Sequence, residues 1–431
     1  MTRWSRLFGL ATALTVVACV DATSPPAERA GPDRALSPDT LQIAGGSADV
    51  WLKDFVSMGT SISMGYASEG VWSGSQSAAW PAQLSAMAGY SMSLPLIAFP
   101  GCRSPFMAPL ALGIRESGEP VTTPDNLLGC ALNEPGVSLP TANVAVNAAR
   151  TIHALTTTPE NTTDAGNKGL YARVLPPNTT QVMAMQLQRP ALVSVEFGAN
   201  EILGVRSGAV IPGVTYVPFP AWRPIYDEVT AKARLASSGG GVLVGLIADA
   251  GEFPAFRTGA EFWADRVMLL AAFHVQADAN CDQNTDLQLV PVKIPTAVAN
   301  GLARRNLQLP PYPLSCAPGP RGTQDLVLDA GERRIVEGLL REMNAYIKRR
   351  ATQLGWAYFE LEALYGLPNL KPPFSSLALM QSMTPYGNYI SLDGFHPSAL
   401  GQSVLAQAAA QALNARYGMH LSALQALAMP R

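Results

Sequence analysis

Short apolar runs alternate along this chain with longer segments of helical periodicity, and this alternation constrains the fold more than any other feature. Runs that are apolar throughout predict strands buried on both faces. Strands that alternate with helices favour a parallel sheet with helices on both sides. The predicted strands span residues 54–58, 91–96, 143–146, 191–197, 241–247 and 356–361. The predicted helices span residues 77–88, 148–155, 221–236, 260–275 and 330–354.

Two segments, 100–139 and 278–324, show no clear period and are predicted to be loop insertions. They contain four of the five cysteines, an even number that suits disulfides in an oxidising compartment. Three pairings are possible, and we favour the two local ones because each closes a segment rich in proline and glycine. No CxxC or Cys/His spacing is present, so no metal site is predicted. The four cysteines are Cys102, Cys130, Cys281 and Cys316.

The N-terminus has the order of an export signal. Two arginines in MTRWSR precede the uncharged run LFGLATALTVVA, which is too short to span a bilayer and ends at Cys19. The residues before Cys19 resemble a bacterial lipoprotein cleavage box, so we predict lipidation of Cys19 and a membrane anchor; the alternative is an ordinary signal peptide. We predict a lipoprotein signal at 1–19, a flexible tether at 20–49 and one folded domain at 50–431, in the cell envelope.

Charge argues against a nucleic-acid partner. Only 14% of the residues are charged and the formal net charge is −2, so there is no basic excess to neutralise phosphates. The membrane is an expected partner, through the predicted anchor at Cys19, and no cofactor is predicted.

One of the four histidines has the setting of a catalytic base. His153 and His274 lie in helical stretches and His420 lies in the C-terminal tail, whereas His396 lies in a loop directly before a helix. Asp393 precedes it by three residues, so a single turn brings a carboxylate against the imidazole and fixes its tautomer.

The stretch FVSMGTSISMGY supplies the complementary hydroxyls, with Ser57, Thr60, Ser61 and Ser63 within seven residues. An alcohol becomes a useful nucleophile when it has a base, a group that orients the base, and donors for the oxyanion.

These motifs together resemble the SGNH/GDSL hydrolases, whose blocks occur here in family order. The first block is matched by Gly59-Thr60-Ser61, the third by Gly198-Ala199-Asn200-Glu201, and the last by Asp393-Gly394-Phe395-His396. The second block is approximated by NVAVNA, with Ala148 where the family has glycine. The resemblance implies a flavodoxin-like three-layer α/β/α sandwich with about five parallel strands and disulfide-tied loop insertions.

The resemblance also implies a role for each matched residue. Ser61 is the expected nucleophile, His396 the base and Asp393 its orienter, while Ser57 and Ser63 satisfy backbone groups. Asn200, Ala148 and the Ser61 amide are the expected oxyanion donors. Thr60 stands where the family has aspartate, so altered hydrogen bonding is expected there.

The predicted function is that of an exported serine esterase or lipase that acts on a small ester or lipid substrate, and residues 50–431 are the expected hydrolase domain. Two alternatives stay open: a carbohydrate O-acetyl esterase, and a non-catalytic surface-binding lipoprotein that retains the fold. Gln76 is a candidate substrate-binding residue, although it is equally suited to cap the helix that follows it.

Overall fold

The structure is a computed structural model that describes residues 48–163 and 167–422. The predicted signal peptide, the Cys19 lipidation site and almost all of the predicted tether lie outside these residues. A 3-10 helix begins at Ala48, so the last two residues of the predicted tether belong to a folded element. Among the described residues, no helix is both long and apolar enough to cross a bilayer.

Four parallel strands form the central sheet in the order β1-β2-β3-β9. Residues 142–146 extend this sheet beside β1, although they form only an isolated bridge at Asn143. Ser57 N–H donates to Ala142 O at 2.8 Å, and Val144 N–H donates to Ser57 O at 2.9 Å. The strands of the described residues are β1 Phe55–Met58, β2 Leu192–Val195, β3 Gly240–Gly245, β4 Phe256–Thr258, β5 Val275–Ala277, β6 Leu287–Leu289, β7 Tyr312–Leu314, β8 Val327–Leu328 and β9 Ala357–Glu360.

Helices cover both faces of this sheet, which gives the predicted three-layer α/β/α arrangement. Helices α3 and α14 pack against each other in one layer, and α6, α7 and α11 form the other. The α-helices are α1 Ser61–Met64, α2 Ser73–Ser77, α3 Trp80–Met87, α4 His153–Thr156, α5 Lys168–Val174, α6 Gln181–Gln188, α7 Phe219–Ala236, α8 Gly259–Ala264, α9 Arg266–Phe273, α10 Val290–Asn306, α11 Ala330–Leu354, α12 Glu362–Tyr365, α13 Ser376–Gln381 and α14 Ala399–Tyr417.

Both locally paired disulfides are present, as predicted. Cys102 is bonded to Cys130 and Cys281 is bonded to Cys316. Each closes a loop that returns to the sheet layers, and three of the four cysteines are buried. The insertion 100–139 contains only two short 3-10 turns, in agreement with its irregular sequence.

Three predicted elements are wrong. Residues 91–96 form no strand, and residues 148–155 form a helix only from His153 because Ala148 has a positive φ. The predicted irregular insertion 278–324 contains the 17-residue helix α10. Of the two prolines in α10, Pro291 lies in the first turn, where proline is tolerated, and Pro295 lies inside the helix.

Candidate active site

Ser61 lies at the end of β1, at the start of a one-turn helix. Gly59 and Thr60 form the turn between them, and Ser61 is the first residue of α1, with 6% of its surface exposed. A Cβ at Gly59 would lie 2.8 Å from Glu196 Oε2 and 2.9 Å from the Ser63 hydroxyl oxygen, so a larger residue would displace side chains that hold this turn. The first N–H groups of a helix have no acceptor within it, which leaves the Ser61 N–H available to a ligand.

Glu196 holds this turn from the neighbouring strand, an arrangement that the sequence reading missed. Its Oε2 accepts from Thr60 N–H at 2.9 Å and from Ser63 N–H at 3.3 Å, and its Oε1 accepts from the Thr60 hydroxyl at 2.8 Å. The carboxyl group is almost fully buried, and burial raises its pKa despite these hydrogen bonds. The sequence signal that could have identified Glu196 is the presence of an acidic residue inside the apolar run ALVSVEF.

The neighbouring hydroxyls are engaged in packing contacts. The Ser57 hydroxyl pairs with that of Ser194 at 2.9 Å, and the Ser63 hydroxyl accepts from the Trp80 indole at 3.2 Å. Both serines are fully buried. Their hydroxyls form hydrogen bonds with side chains of neighbouring elements, whereas the prediction was that they bond to backbone groups.

Asp393 and His396 form a hydrogen-bonded pair in the loop before α14. His396 Nδ1 lies 2.9 Å from Asp393 Oδ2, and Asp393 Oδ1 accepts from the N–H groups of Phe395 and His396 at 2.8 Å each. Burial acts to raise the pKa of Asp393, but the charge of His396 and these hydrogen bonds outweigh it and lower the pKa to about 2. The carboxylate therefore stays ionised at neutral pH.

The same contacts determine the basicity of His396, whose side chain is 12% exposed. Burial acts to lower its pKa, but the Asp393 carboxylate and its hydrogen bond, with a contribution from Glu69, raise it above the ordinary value. The Tyr66 ring packs edge-on against the imidazole, with 5.0 Å between ring centroids. The imidazole is therefore fixed in orientation and is a stronger base than free histidine.

Hydrogen bonds fasten the histidine loop to the segment that follows Ser61. Glu69 N–H donates to Asp393 Oδ2 at 3.0 Å, and Ser68 N–H donates to the Ser391 hydroxyl at 2.9 Å. Within the described part of the chain, no hydrogen bond joins the Ser61 hydroxyl to the imidazole. Catalytic hydrogen bonds often tighten only when substrate is bound, so this geometry is compatible with a nucleophile and its base.

The second and third blocks meet beside the turn that precedes Ser61, to which Val146 N–H is bonded through Gly59 O at 3.2 Å. Asn200 Nδ2 donates to Ala149 O at 2.9 Å, and Glu201 Oε1 accepts from Thr151 N–H at 2.6 Å. Ala148 lies exposed in the turn closed by the hydrogen bond from Ala149 N–H to Val146 O, with φ of +57°. This left-handed conformation favours glycine, the residue that the resembling family has at this position.

Gln76 is not available to a substrate, contrary to prediction. Its Nε2 donates to Pro95 O at 2.9 Å, and its Oε1 accepts from Ile97 N–H at 2.8 Å. The side chain is fully buried, and it holds the 95–97 segment against α2.

The other three histidines make contacts of a different kind. His153 begins α4 and accepts from Arg150 N–H, and His274 ends α9 with Nε2 2.9 Å from Leu309 O. His420 follows α14 and donates its N–H to Asp49. Among the described residues, no cluster of His, Cys, Asp or Glu could hold a metal ion.

Comparisons with known proteins give little further information. No protein-family profile matches the chain, and no curated protein matches it. Similar solved structures include two variants of an acetyl-xylooligosaccharide esterase from Geobacillus Stearmophilus, each 10% identical to this chain. They cover 85% and 89% of this chain and 94% and 100% of theirs, with TM-scores of 0.33 and 0.35. A likeness at these TM-scores carries no weight for the activity of this chain.

Proposed function

We propose that this protein is a serine hydrolase of the SGNH/GDSL type that cleaves carboxylic esters, with Ser61 as nucleophile, His396 as base and Asp393 as its orienter. The observation that carries the proposal is the Asp393–His396 pair, in which a buried, ionised carboxylate holds the imidazole at 2.9 Å. A core packing role does not require a basic imidazole that is fastened by hydrogen bonds to the segment following a helix-start serine.

In this mechanism His396 Nε2 accepts the Ser61 hydroxyl proton while Ser61 Oγ attacks the ester carbonyl carbon. The tetrahedral intermediate collapses when His396 returns that proton to the alcohol oxygen, which leaves an acyl-enzyme on Ser61. Water, deprotonated by His396, then attacks the acyl carbonyl carbon. His396 returns that proton to Ser61 Oγ as the bond to the acyl group breaks, which releases the carboxylic acid and restores the free serine. Asp393 stabilises the imidazolium in both steps and does not itself take up the proton.

The oxyanion that forms in each step needs fixed donors. We assign this role to the Ser61 N–H, the Ala148 N–H and the Asn200 side-chain amide. Asn200 Nδ2 carries two hydrogens, and one of them is bonded to Ala149 O. The second hydrogen is therefore the one that would reach the oxyanion, while the first holds the Ala148 turn beside it.

A panel of p-nitrophenyl esters of increasing acyl length, run beside acetylated xylan, tests this function. We expect hydrolysis of the simple esters by the full chain, loss of that hydrolysis in Ser61→Ala, and near-normal rates in the matched control Ser63→Ala. Selective release of acetate from xylan would favour the carbohydrate O-acetyl esterase alternative. Ligand binding without Ser61-dependent turnover of any ester would favour the surface-binding lipoprotein.

Export and anchoring through Cys19 complete the proposal. The two disulfides support folding in an oxidising compartment. If Cys19 is lipidated, the protein should partition into detergent, and Cys19→Ser should abolish that partition. A mature form with a free Cys19 thiol would contradict the anchor.

A further inference from the structure

The turn at residues 67–70, between α1 and α2, has an uncommon backbone. Ala67 and Gly70 exchange two backbone hydrogen bonds of 2.9 and 3.0 Å, which leaves Ser68 and Glu69 as the central residues. Both have positive φ, +53° and +58°, although turns of this kind favour glycine or asparagine there. Residues held in this conformation are strained, and they persist where surrounding contacts fix them, often beside functional sites.

One side of this turn holds the catalytic pair. Glu69 N–H donates to Asp393 Oδ2 at 3.0 Å, and the same oxygen lies 2.9 Å from His396 Nδ1. The Ser68 hydroxyl accepts from Leu392 N–H at 3.1 Å, directly beside Asp393 in sequence. The position of the turn therefore determines the position of the carboxylate oxygen that orients the base.

The other side of the turn is held by the insertion 100–139. Arg115 Nη1 donates to Glu69 O at 3.2 Å and to Ser104 O at 2.7 Å, so this side chain joins the insertion to the turn. Arg115 is only 3% exposed. A buried guanidinium needs its hydrogen-bond partners, and these two carbonyl oxygens therefore fix its position.

The Cys102–Cys130 disulfide closes the part of the insertion that makes these contacts. Phe106, inside the closed loop, donates its N–H to Ser68 O at 2.7 Å. Cys102 exchanges two backbone hydrogen bonds with Val71, at 2.9 and 3.3 Å. Regular structure between the two cysteines is limited to two short 3-10 turns, so the crosslink restricts this loop where helices and strands do not.

We propose that Arg115 is a positioning residue for the Asp393–His396 pair, that it acts through the 67–70 turn, and that the disulfide of this loop keeps it in place. This inference rests on the proposed function and adds a requirement to the same site. The alternative is that the insertion only stabilises the fold. The two differ in kcat per active molecule, because a purely stabilising contact changes the number of active molecules and not the rate of each.

The first experiment measures kcat and KM of the full chain for the p-nitrophenyl ester that it hydrolyses fastest. Active molecules are counted by complete reaction with a fluorophosphonate. Arg115→Met removes the donors and keeps most of the side-chain length. We expect kcat to fall about ten- to hundredfold with little change in KM, because the oriented carboxylate stabilises the imidazolium mainly in the transition state. Arg115→Lys retains a donor and should restore part of kcat.

Arg173→Met is the matched control for this experiment. Arg173 Nε also donates to a backbone carbonyl of the same insertion, that of Ala131 at 2.7 Å, rather than to the turn. We therefore expect a normal kcat per active molecule in Arg173→Met.

The second experiment opens each disulfide without changing the charge of any side chain. The first cysteine pair, Cys102→Ala with Cys130→Ala, should lower kcat in the same way as Arg115→Met. The second cysteine pair, Cys281→Ala with Cys316→Ala, should lower stability and leave kcat per active molecule unchanged.

The pH dependence of kcat/KM gives an independent readout in the same variants. Asp393, Glu69 and Arg206 are the charged groups that act on the His396 imidazole, and of these only Glu69 lies on the turn. The Glu69 carboxylate raises the pKa of His396, so release of the turn should move the rise of kcat/KM to lower pH. We expect this shift in the first cysteine pair and no shift in the second.

The outcomes separate this inference from the function on which it rests. Unchanged kcat and pH dependence in Arg115→Met and in the first cysteine pair, with turnover that depends on Ser61, would overturn the inference and leave the esterase intact. An equal fall of kcat in Arg173→Met or in the second cysteine pair would show a general loosening and would also overturn it. Absence of Ser61-dependent turnover of the whole p-nitrophenyl panel would overturn the proposed function, and this inference with it. If Arg115→Met does not fold, Arg115→Lys and the cysteine pairs decide between these outcomes.

Discussion

Glu196, at the end of β2, accepts hydrogen bonds from both the N–H and the hydroxyl of Thr60, at 2.9 and 2.8 Å. Thr60 stands where the resembling family has aspartate, so the carboxylate at this turn comes from the neighbouring strand instead. Glu196 also accepts from Ser63 N–H. It therefore contacts the residues on both sides of the Ser61-Ile62 pair. We infer that Glu196 is a positioning residue for the nucleophile turn.

A double-mutant cycle at the two positions tests this relationship. Thr60→Asp alone should destabilise the fold by at least about 2 kcal/mol, because two buried carboxyl groups would meet. Adding Glu196→Gln should recover part of that loss and part of kcat, since the amide can donate to the new carboxylate. Denaturant unfolding and kcat would be measured for both single variants and for the pair. Additive effects, with no coupling between the two positions, would contradict the positioning role.

The pH dependence of kcat/KM should report the basicity of His396. Only the neutral imidazole accepts the Ser61 proton, so activity should rise with pH through the pKa of His396, which lies above the ordinary value of about 6.5. Asp393, with a pKa of about 2, adds no titration in this range.

Two substitutions should move the acidic limb of this profile, which is the pH range where kcat/KM rises, in opposite directions. Glu69→Gln removes a negative charge and should move the limb to lower pH, whereas Arg206→Gln removes a positive charge and should move it to higher pH. Glu228→Gln, on α7, serves as the control and should leave it in place. A limb below 6.5, or shifts of the same sign in both variants, would refute the assignment of the base.

The backbone at Ala148 gives a prediction about stability. Because φ is +57°, Ala148→Gly should relieve strain and raise the free energy of unfolding by up to about 1 kcal/mol, without lowering kcat. The neighbouring Ala149 has no positive φ, so Ala149→Gly should cost roughly 0.5–1 kcal/mol or more. Equal destabilisation by the two glycines would show that Ala148 is unstrained.

Asn200 should affect two oxyanion donors: its own side-chain amide and the backbone N–H of Ala148. Asn200→Ala removes the side-chain amide. It also removes the hydrogen bond from Asn200 Nδ2 to Ala149 O, and this bond holds the turn that contains Ala148. We expect kcat to fall by at least about 100- to 1,000-fold with little change in KM, because these donors act mainly on the transition state. Undiminished kcat in Asn200→Ala would remove this residue from the mechanism.

Much of the fold follows from local signals in the sequence. Helix α11 spans the predicted 330–354, because a capping box of Asp329 and Glu332 begins it and Gly355, with φ of +70°, ends it. The strands of the central sheet are each shorter than predicted: β2, for example, spans Leu192–Val195 within the predicted 191–197.

The wrong predictions share a dependence on tertiary contacts. Gln76 is buried because its side-chain amide forms hydrogen bonds with the backbone of Pro95 and Ile97. The backbone of the 95–97 segment bonds to this side chain and to loop residues, so it forms no strand. The contact between Thr60 and Glu196 joins residues 136 apart in sequence, so no local pattern predicts it. The sequence signal for Glu196 was present, but its partner becomes evident only from the parallel register of β1 and β2.

The identity of the activated hydroxyl is the central claim, and a fluorophosphonate probe tests it most directly. After reaction with the full chain, peptide mass spectrometry should locate the adduct on Ser61, and labelling should slow by several orders of magnitude in His396→Gln, because the base activates that oxygen. An adduct on Ser57 or Ser63, or labelling of Ser61 at an unchanged rate in His396→Gln, would contradict the account.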